Sequence, residues 1–436
     1  MPDQVAFSEL VLVNPPITAS LPSSGSDVSF IEMQDVSNSG EWANHQTRRL
    51  SKVGPGYTAF QEGDVLFAKI TPCMENGKGA QAVGLVNGIG FGSTEFHVIR
   101  TRQGISPRFI YHWCNSNVLR QAAEAQMIGS AGQQRVPEDF FLRFFVPFIG
   151  VDEQKAIAVI LDAMDVTIRR TEVLIEKLQR VKAGLLHDLL THGLDKNGEL
   201  RDSLRHPEQF KDSSEGKIPN EWDLRTINDI ATHVGSGITP TGGSNIYTSK
   251  GVLFIRSQNV TFNGLLLEDV AYIPRKIHQQ MSGSEIFAQD TLLNITGASL
   301  GRCCVFSGSN GQANVNQHVC AIRLKEVDPG RSTFLAEYLA SPWGQNQIFR
   351  FNAGSNREGL NYQQIRSITV PWPRNTEETD SISEKLLGAR ERFVEEKRIF
   401  DKLILLKKGL MQDLLTGQVC VPRNLIERYK PDGDGE

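Results

Sequence analysis

Polar and apolar positions along this chain fall into two textures, and each texture occurs twice. Short apolar runs such as "GVLFIRSQNV" and "HVCAIRL", broken by Gly, Asn and Pro turns, read as β-strands. Interspersed stretches such as "FIYHWCNSNVLRQAAEAQ" and "FLAEYLASPWGQNQIF" read as helices. Each β-rich stretch ends at an X-Pro strand, "FFVPF" or "ITVPW", and then gives way to a helical pattern of roughly 40 residues beginning near Asp152 and Glu377. The spacing predicts an α+β class with two long helices.

Within the long helices a 4-3 spacing sets Ile157, Leu161, Met164, Ile168, Thr171, Ile175, Leu178, Lys182, Leu185 and Leu189 on one stripe. The second helix carries the same stripe 225 residues later, as Ile382, Leu386, Ala389, Phe393, Glu396, Phe400, Leu403, Lys407, Leu410 and Leu414. Both seams are interrupted at the same two places. An antiparallel coiled coil whose facing residues sum to 578 would set Lys182 against Glu396 and Thr171 against Lys407. It would close the seam with Met164/Leu414, Ile168/Leu410, Ile175/Leu403, Leu178/Phe400 and Leu185/Phe393. Forty helical residues run about 60 Å, so such a pair would act as a ruler between two domains.

The whole second half repeats the first at a register of 224 to 225 residues. "IEKLQRVKAGLLHDLLT" lies over "FDKLILLKKGLMQDLLT" with nine of seventeen positions identical, and "VSFIEMQDVSNSG" faces "VLFIRSQNVTFNG". A repeat this long is a duplicated domain-plus-helix module and not a solenoid unit. The reading gives a first domain over 1–148, a helix over 149–191, a polar linker over 192–216, a second domain over 217–373, a helix over 374–418 and a tail over 419–436. Two similar modules imply two similar sites, lined differently.

Composition narrows the partners. The formal net charge is −4. Lys plus Arg against Asp plus Glu stands at 11 against 13 over residues 1–150 and at 12 against 10 over 222–373. Neither module has the general attraction to phosphate of a basic protein, so DNA binding would rest on locally clustered donors or on other subunits. The six cysteines, Cys73, Cys114, Cys303, Cys304, Cys320 and Cys420, fall at no metal-ligand spacing and read as buried thiols. No apolar run approaches the ~18 residues needed to span a bilayer, and "MPDQVAFSEL" has no signal-peptide pattern, so the expectation is a cytoplasmic protein without a membrane partner.

With "KIPNEWDL" (Lys217 to Leu224) opening the second domain, "GLLHDLLTHG" and "GLMQDLLTGQV" closing the helices, and "VPF" and "VPW" leading into them, the chain resembles the specificity (S) subunits of Type I restriction-modification systems over nearly its whole length. The first module departs from the pattern, since it has no "IPxxW" and starts at "VAFSEL". The resemblance implies two target-recognition domains, each reading one half of an interrupted asymmetric site on double-stranded DNA, and helices that fix the spacer. It also implies docking of two modification (M) subunits, which bind S-adenosylmethionine and methylate adenine, and of restriction (R) subunits that use ATP and Mg. The chain itself would be non-catalytic, with no cofactor or metal of its own. A coiled-coil scaffold joining proteins, with peptide- or glycan-binding domains, is the alternative.

Enzyme motifs are weak. "NPPI" at Asn14 to Ile17 lacks the aromatic residue of an adenine methyltransferase motif, and "VGSGITPTGG" lacks the Gly-Lys-Ser/Thr ending of a phosphate loop. Base reading favours Arg, Lys, Asn and Gln in turns. In the first domain these are Lys69, Thr71, Lys78, Gln133, Gln134 and Arg135. In the second they are Arg256, Ser257, Asn259, Asn294, Thr296, Arg302, Asn314, Asn316, Gln317, His318, Asn356 and Arg357.

Overall fold

Alternating Val, Ile and Phe positions build the same pair of four-stranded sheets twice in the computed structural model, which describes residues 3–54, 56–130, 132–353 and 359–428. In the first copy one sheet orders Val11–Val13, Phe96–Thr101, Val65–Ala68 and Gly79–Gln81 as neighbours. The other orders Gln46–Arg49, Asp27–Ile31, Ile89–Gly92 and Thr58–Gln61, with a parallel pair at its centre. The second copy repeats both orders, in Ala231–Ser236, Val319–Leu324, Thr291–Asn294 and Cys303–Val305, and in Ala271–Ile273, Val252–Ile255, Ala313–Val315 and Glu285–Ile286. The duplication read from the sequence is therefore a duplication of topology.

The expected helices form where the chain supplies caps. Pro107–Cys114 starts after Ser106, whose hydroxyl accepts the Phe109 N–H, and Pro329–Ala340 starts after Asp328, whose carboxylate accepts the Arg331 N–H at 2.8 Å. In both, proline occupies the first helical position, where its missing N–H costs nothing. The long helices run Val151–Thr191 and Thr376–Leu415.

The chain divides into two compact units that cut across the linear repeat: Met1–Glu172 with Ile399–Glu436, and Val173–Arg398. Each unit thus holds part of both long helices, and the two helices pack together with opposite sense. In the first unit Asp165 pairs with Lys407 while Glu153 accepts the Val421 N–H at 3.0 Å, so one strand of the pair descends as the other rises. In the second, Lys182 lies 5.8 Å over the Phe393 ring and Glu378 accepts the Leu194 N–H at 2.9 Å. The predicted 4-3 stripe is the shielded face of each helix: Ile157, Leu161, Ile168, Leu189, Ile382, Leu386 and Leu414 are buried, and Met164, Thr171, Ile175, Leu178, Lys182, Leu185, Phe393, Glu396, Phe400, Leu403, Lys407 and Leu410 are half-buried.

The register differs from the expected one. Lys182 stands over Phe393, three residues before Glu396, and no ion pair joins it to Glu396 among the described residues. Lys407 pairs with Asp165, six residues before Thr171, and the Thr171 hydroxyl bonds the Thr167 carbonyl. Seam matching alone assumed that each lysine answers the polar break opposite. Lys182 instead faces the charges of Glu337 on a globular helix and of Arg390, while burial lowers its pKa. Glu337 in turn pairs with Arg390 at 3.0 Å.

The 192–216 segment, expected as a linker, is structured. Leu194 is buried, and Arg201 is buried on Glu378 at 2.6 Å. Phe210–Ser213 and Gly216–Pro219 pair as a hairpin leading to Trp222, which is fully buried with its indole N–H on Glu378 at 3.0 Å. The segment's polar composition gives no sign of this, because the carboxylate that holds Arg201 and Trp222 lies over 150 positions away in sequence.

One buried ion pair recurs in both units. Asp64, 1 % exposed, takes two bonds from Arg100 at 2.7 and 2.8 Å and the Gln61 N–H at 2.8 Å. Asp290, fully buried, takes two from Arg323 at 2.8 and 2.7 Å and the Phe287 N–H at 2.9 Å. Removing one partner of such a pair typically costs about 3–5 kcal/mol because the other charge is left buried. Arg100→Ala and Arg323→Ala, which leave Asp64 and Asp290 buried without a counter-charge, are each expected to lower stability by about that amount, within one unit only. Hydrogen exchange resolved along the chain checks this, and equal loss of protection in both units would contradict it.

Candidate nucleic-acid interface

Three loops meet at the same strand ends in each unit. In the first, Val65–Ala68 runs into Lys69, whose N–H donates to the Glu95 carbonyl at 2.9 Å and whose carbonyl accepts the Val136 N–H at 2.9 Å. In the second, Thr291–Asn294 runs into Ile295, whose N–H donates to the His318 carbonyl at 3.0 Å and whose carbonyl accepts the Leu360 N–H at 2.9 Å. The backbone scheme is identical, and its side chains are not.

The first junction is charged. The Thr71 N–H donates to the Gln134 carbonyl at 3.0 Å, so the 69–71 and 133–135 loops are joined. Arg135 forks onto Glu95 at 2.9 and 2.8 Å, and that guanidinium holds the Glu95 carboxyl below its ordinary pKa against the opposing effect of burial. Beneath it His97 lies between Val136 O at 2.8 Å and the Asn14 amide at 3.0 Å, and burial lowers its pKa. Lys69 and Gln134 are half-buried, and Gln133 is exposed.

The second junction joins hydroxyl, imidazole and amide groups. The Thr296 hydroxyl and His318 Nδ1 are 2.5 Å apart, Gln317 Nε2 lies 3.1 Å from His318 Nε2, and the Thr239 hydroxyl donates to Gln317. Nearby Ser236 bonds the Tyr362 hydroxyl at 2.6 Å. Gln317 and Arg302 are exposed, and Thr296 and His318 half-buried. Glu95, His97, Thr239 and Tyr362 were missed by reading the loops singly. Aligning the repeat at the strand Phe96–Thr101 over Val319–Leu324 sets Glu95 on His318, which is the signal that finds the first of them.

Several sequence candidates serve the scaffold instead. Asn259 is 1 % exposed and its amide bonds the carbonyls of Leu266 and Asp269, while its carbonyl accepts the Arg256 N–H. Asn314 is fully buried on Met281 O, Ser284 and His278. Asn294 is fully buried with its amide on Ser257 O at 2.8 Å, and Asn316 caps the His318 N–H. The Lys78 ammonium donates to Met33 O at 2.8 Å, the Thr71 hydroxyl to Glu75 at 2.6 Å, and Arg256 to Asp269 O at 3.0 Å. Ser257 is half-buried. Asn and Gln in turns bond local backbone as readily as a ligand, and sequence alone does not separate the two uses. Asn356 and Arg357 lie outside the described residues.

The decoy motifs have structural uses too. Asn14 adopts φ 48° and its side-chain oxygen accepts the Val98 N–H at 3.0 Å, while its amide reaches Glu138 at 2.9 Å. At Gly237 of the Gly-rich loop a Cβ would lie 1.6 Å from the Val315 carbonyl, so glycine is needed for close packing there. His112, Asp162 and Asp165 cluster within 4.8 Å, but Asp162 is held by Arg108 and His112 at 2.7 and 2.9 Å, and Asp165 by Lys407. This is an ion-pair network with its charges already matched. Among the described residues no helix is long and apolar enough to cross a membrane.

No family model matches the chain. It is 40 % identical over 156 residues to the Type I restriction enzyme EcoAI specificity subunit of Escherichia coli, covering 35 % of this chain and 26 % of that protein. The match therefore spans about a quarter of that relative. It is 22 % identical over 306 residues to the Type I restriction enzyme MjaVIII specificity subunit of Methanocaldococcus jannaschii, covering 70 % of this chain and 68 % of that one. The S subunit of the Type I restriction-modification system of M. genitalium superposes with a TM-score of 0.59 at 14 % identity, over 95 % of this chain and 96 % of that chain, which shows a shared fold.

Replacing Arg135 by Ala is expected to move the Glu95 titration upward, toward the ordinary carboxylate range, in a pH titration followed by NMR. An unmoved Glu95 would contradict the fork. Because the folded-state value is depressed, the stabilisation is present above the ordinary carboxyl pKa and is lost as pH falls through the folded value.

Proposed function

We propose that this chain, a relative of the Type I restriction enzyme specificity subunits, is the DNA-recognition subunit of such a complex, each unit reading one half of a bipartite site. One observation carries the reading: two identical backbone junctions present different side chains, an Arg135–Glu95 ion pair in one unit and a Thr296–His318–Gln317 cluster in the other. A scaffold conserved while its lining changes suits two unlike half-sites, since base edges are distinguished by the donors and acceptors set against them. Lys69 supplies a point charge for phosphate at the first junction. Gln317 supplies an amide, a donor and acceptor together, at the second.

The relatives' role implies a division of labour. Recognition resides in this chain, and chemistry in two modification subunits that bind S-adenosylmethionine and methylate adenine, with restriction subunits using ATP and Mg. The long helices, continuous through both units, are the element on which modification subunits dock and by which the spacer is set. Such a complex works in the cytoplasm on double-stranded DNA.

Two substitutions separate positioning from reading. Lys69→Ala is expected to weaken DNA binding of the assembled complex uniformly across sequences and to make the slope of log K against log salt shallower by about 1. Gln317→Ala is expected to relax preference at one base position by about 1–3 kcal/mol, in one half-site only. Equilibrium DNA binding of the assembled complex over a salt series reads the first, and methylation mapping in cells that express the chain with its modification subunit reads the second. Loss of both half-sites in the Gln317 variant, or no bipartite motif for the unaltered chain, would overturn the reading.

A further inference from the structure

Arg120 and Gln345 occupy equivalent positions and tie the same glycine turn with different charge. In the second unit the Gln345 amide donates to the carbonyls of Gly301 at 2.9 Å and Leu339 at 2.7 Å. In the first, the Arg120 guanidinium donates to the carbonyls of Gly77 at 3.1 Å, Lys78 at 3.2 Å and Met74 at 2.6 Å. Gly77 and Gly301 have φ of 83° and 85°, so the same left-handed turn is tied in both units. A neutral amide is sufficient for that tie, yet the first unit uses a cation that is 7 % exposed. No ion pair answers it among the described residues, and its Nε has no hydrogen-bond partner. Arg120 also donates to the Asn115 side-chain oxygen at 3.0 Å and lies 4.9 Å over the Phe67 ring. A buried charge without a counter-charge is costly, and the repeat shows that the shared glycine turn can be tied without one.

Arg120 lines a cavity of about 500 Å³ within the first unit, walled on one side by Ile168, Ile404 and Met411 and edged by the exposed Lys408. Asn76 and Asn117 add amides. Of the two carboxylates at its margin, Asp165 is paired with Lys407, and Glu75 accepts the Thr71 hydroxyl at 2.6 Å and keeps its charge, against the three cations Arg120, Lys407 and Lys408. We propose that this cavity binds a small organic phosphate, a phosphomonoester of nucleotide size. Its oxyanion would sit on Arg120 and Lys408 and its apolar body against Ile168, Ile404 and Met411. The volume lies within the range of small-ligand sites, and an apolar wall with a few convergent polar groups is their usual lining. Its lining includes none of the loop-junction residues, though Glu75 touches the Thr71 hydroxyl.

The test uses the full chain, with AMP, adenosine and inorganic phosphate as probes in calorimetric titration. AMP is expected to bind, and adenosine at least tenfold more weakly. Arg120→Gln, which reproduces the neutral tie of Gln345, is expected to weaken AMP at least tenfold while leaving the thermal midpoint of the free protein within a few degrees. Lys408→Ala, at an exposed position, is expected to weaken it several-fold and covers the case in which the Arg120 variant does not fold. Inorganic phosphate binding as tightly as AMP would overturn the role of the apolar wall. No AMP binding, equal binding of adenosine, or undiminished binding in both variants would overturn the site.

Discussion

The buried Asp–Arg pair at the sheet end is the constraint on which each recognition surface depends. Asp64 precedes the strand Val65–Ala68, and Arg100 lies on the neighbouring strand Phe96–Thr101, so their fork fixes one end of an antiparallel pair. The other end of the same pair is where Lys69 and Glu95 meet. Asp290 and Arg323 do the same for Ile295 and His318. A desolvated, bidentate pair tolerates little displacement, so the loops that follow start from fixed points even though their own sequences differ. Variation is confined to side chains beyond those points.

A second carboxylate organises the helix ends. Glu378 collects the Leu194 N–H, the Arg201 guanidinium and the Trp222 indole at the start of the second long helix. Glu153, its equivalent 225 residues earlier, takes the Val421 N–H. In each unit, then, the chain leaving one long helix is fastened to the first turn of the other. Helix packing and chain path are specified by one residue type at one helical position.

Most of the architecture was legible in the sequence because it rests on periodicity. The stripe from Ile157 to Leu189 needed no knowledge of its partner to be identified as a buried face, and the repeat identified the duplicated topology before any strand was paired. The register was not legible, because Lys182 is drawn toward Glu337, an acid on a globular helix, and the helix pattern contains no trace of that contact. The polar segment around Arg201 was misread for the same reason: its partner is remote. Among the loop candidates, Gln317 and Asn314 look alike in sequence, and only burial separates an exposed amide from one enclosed by Met281, Ser284 and His278.

The division of the chain into units also bears on how it is made. The second unit, Val173–Arg398, is one contiguous stretch, whereas the first needs Ile399–Glu436 to join Met1–Glu172. During synthesis, residues 1–172 must therefore wait for residues made after the second unit. The helix face at Ile157 and Leu161, whose core includes Met411, Leu414, Leu415 and Val421, stays uncovered until then. The unit encoded later is the first that can be completed, and the nascent first unit is the species that a chaperone would have to shield.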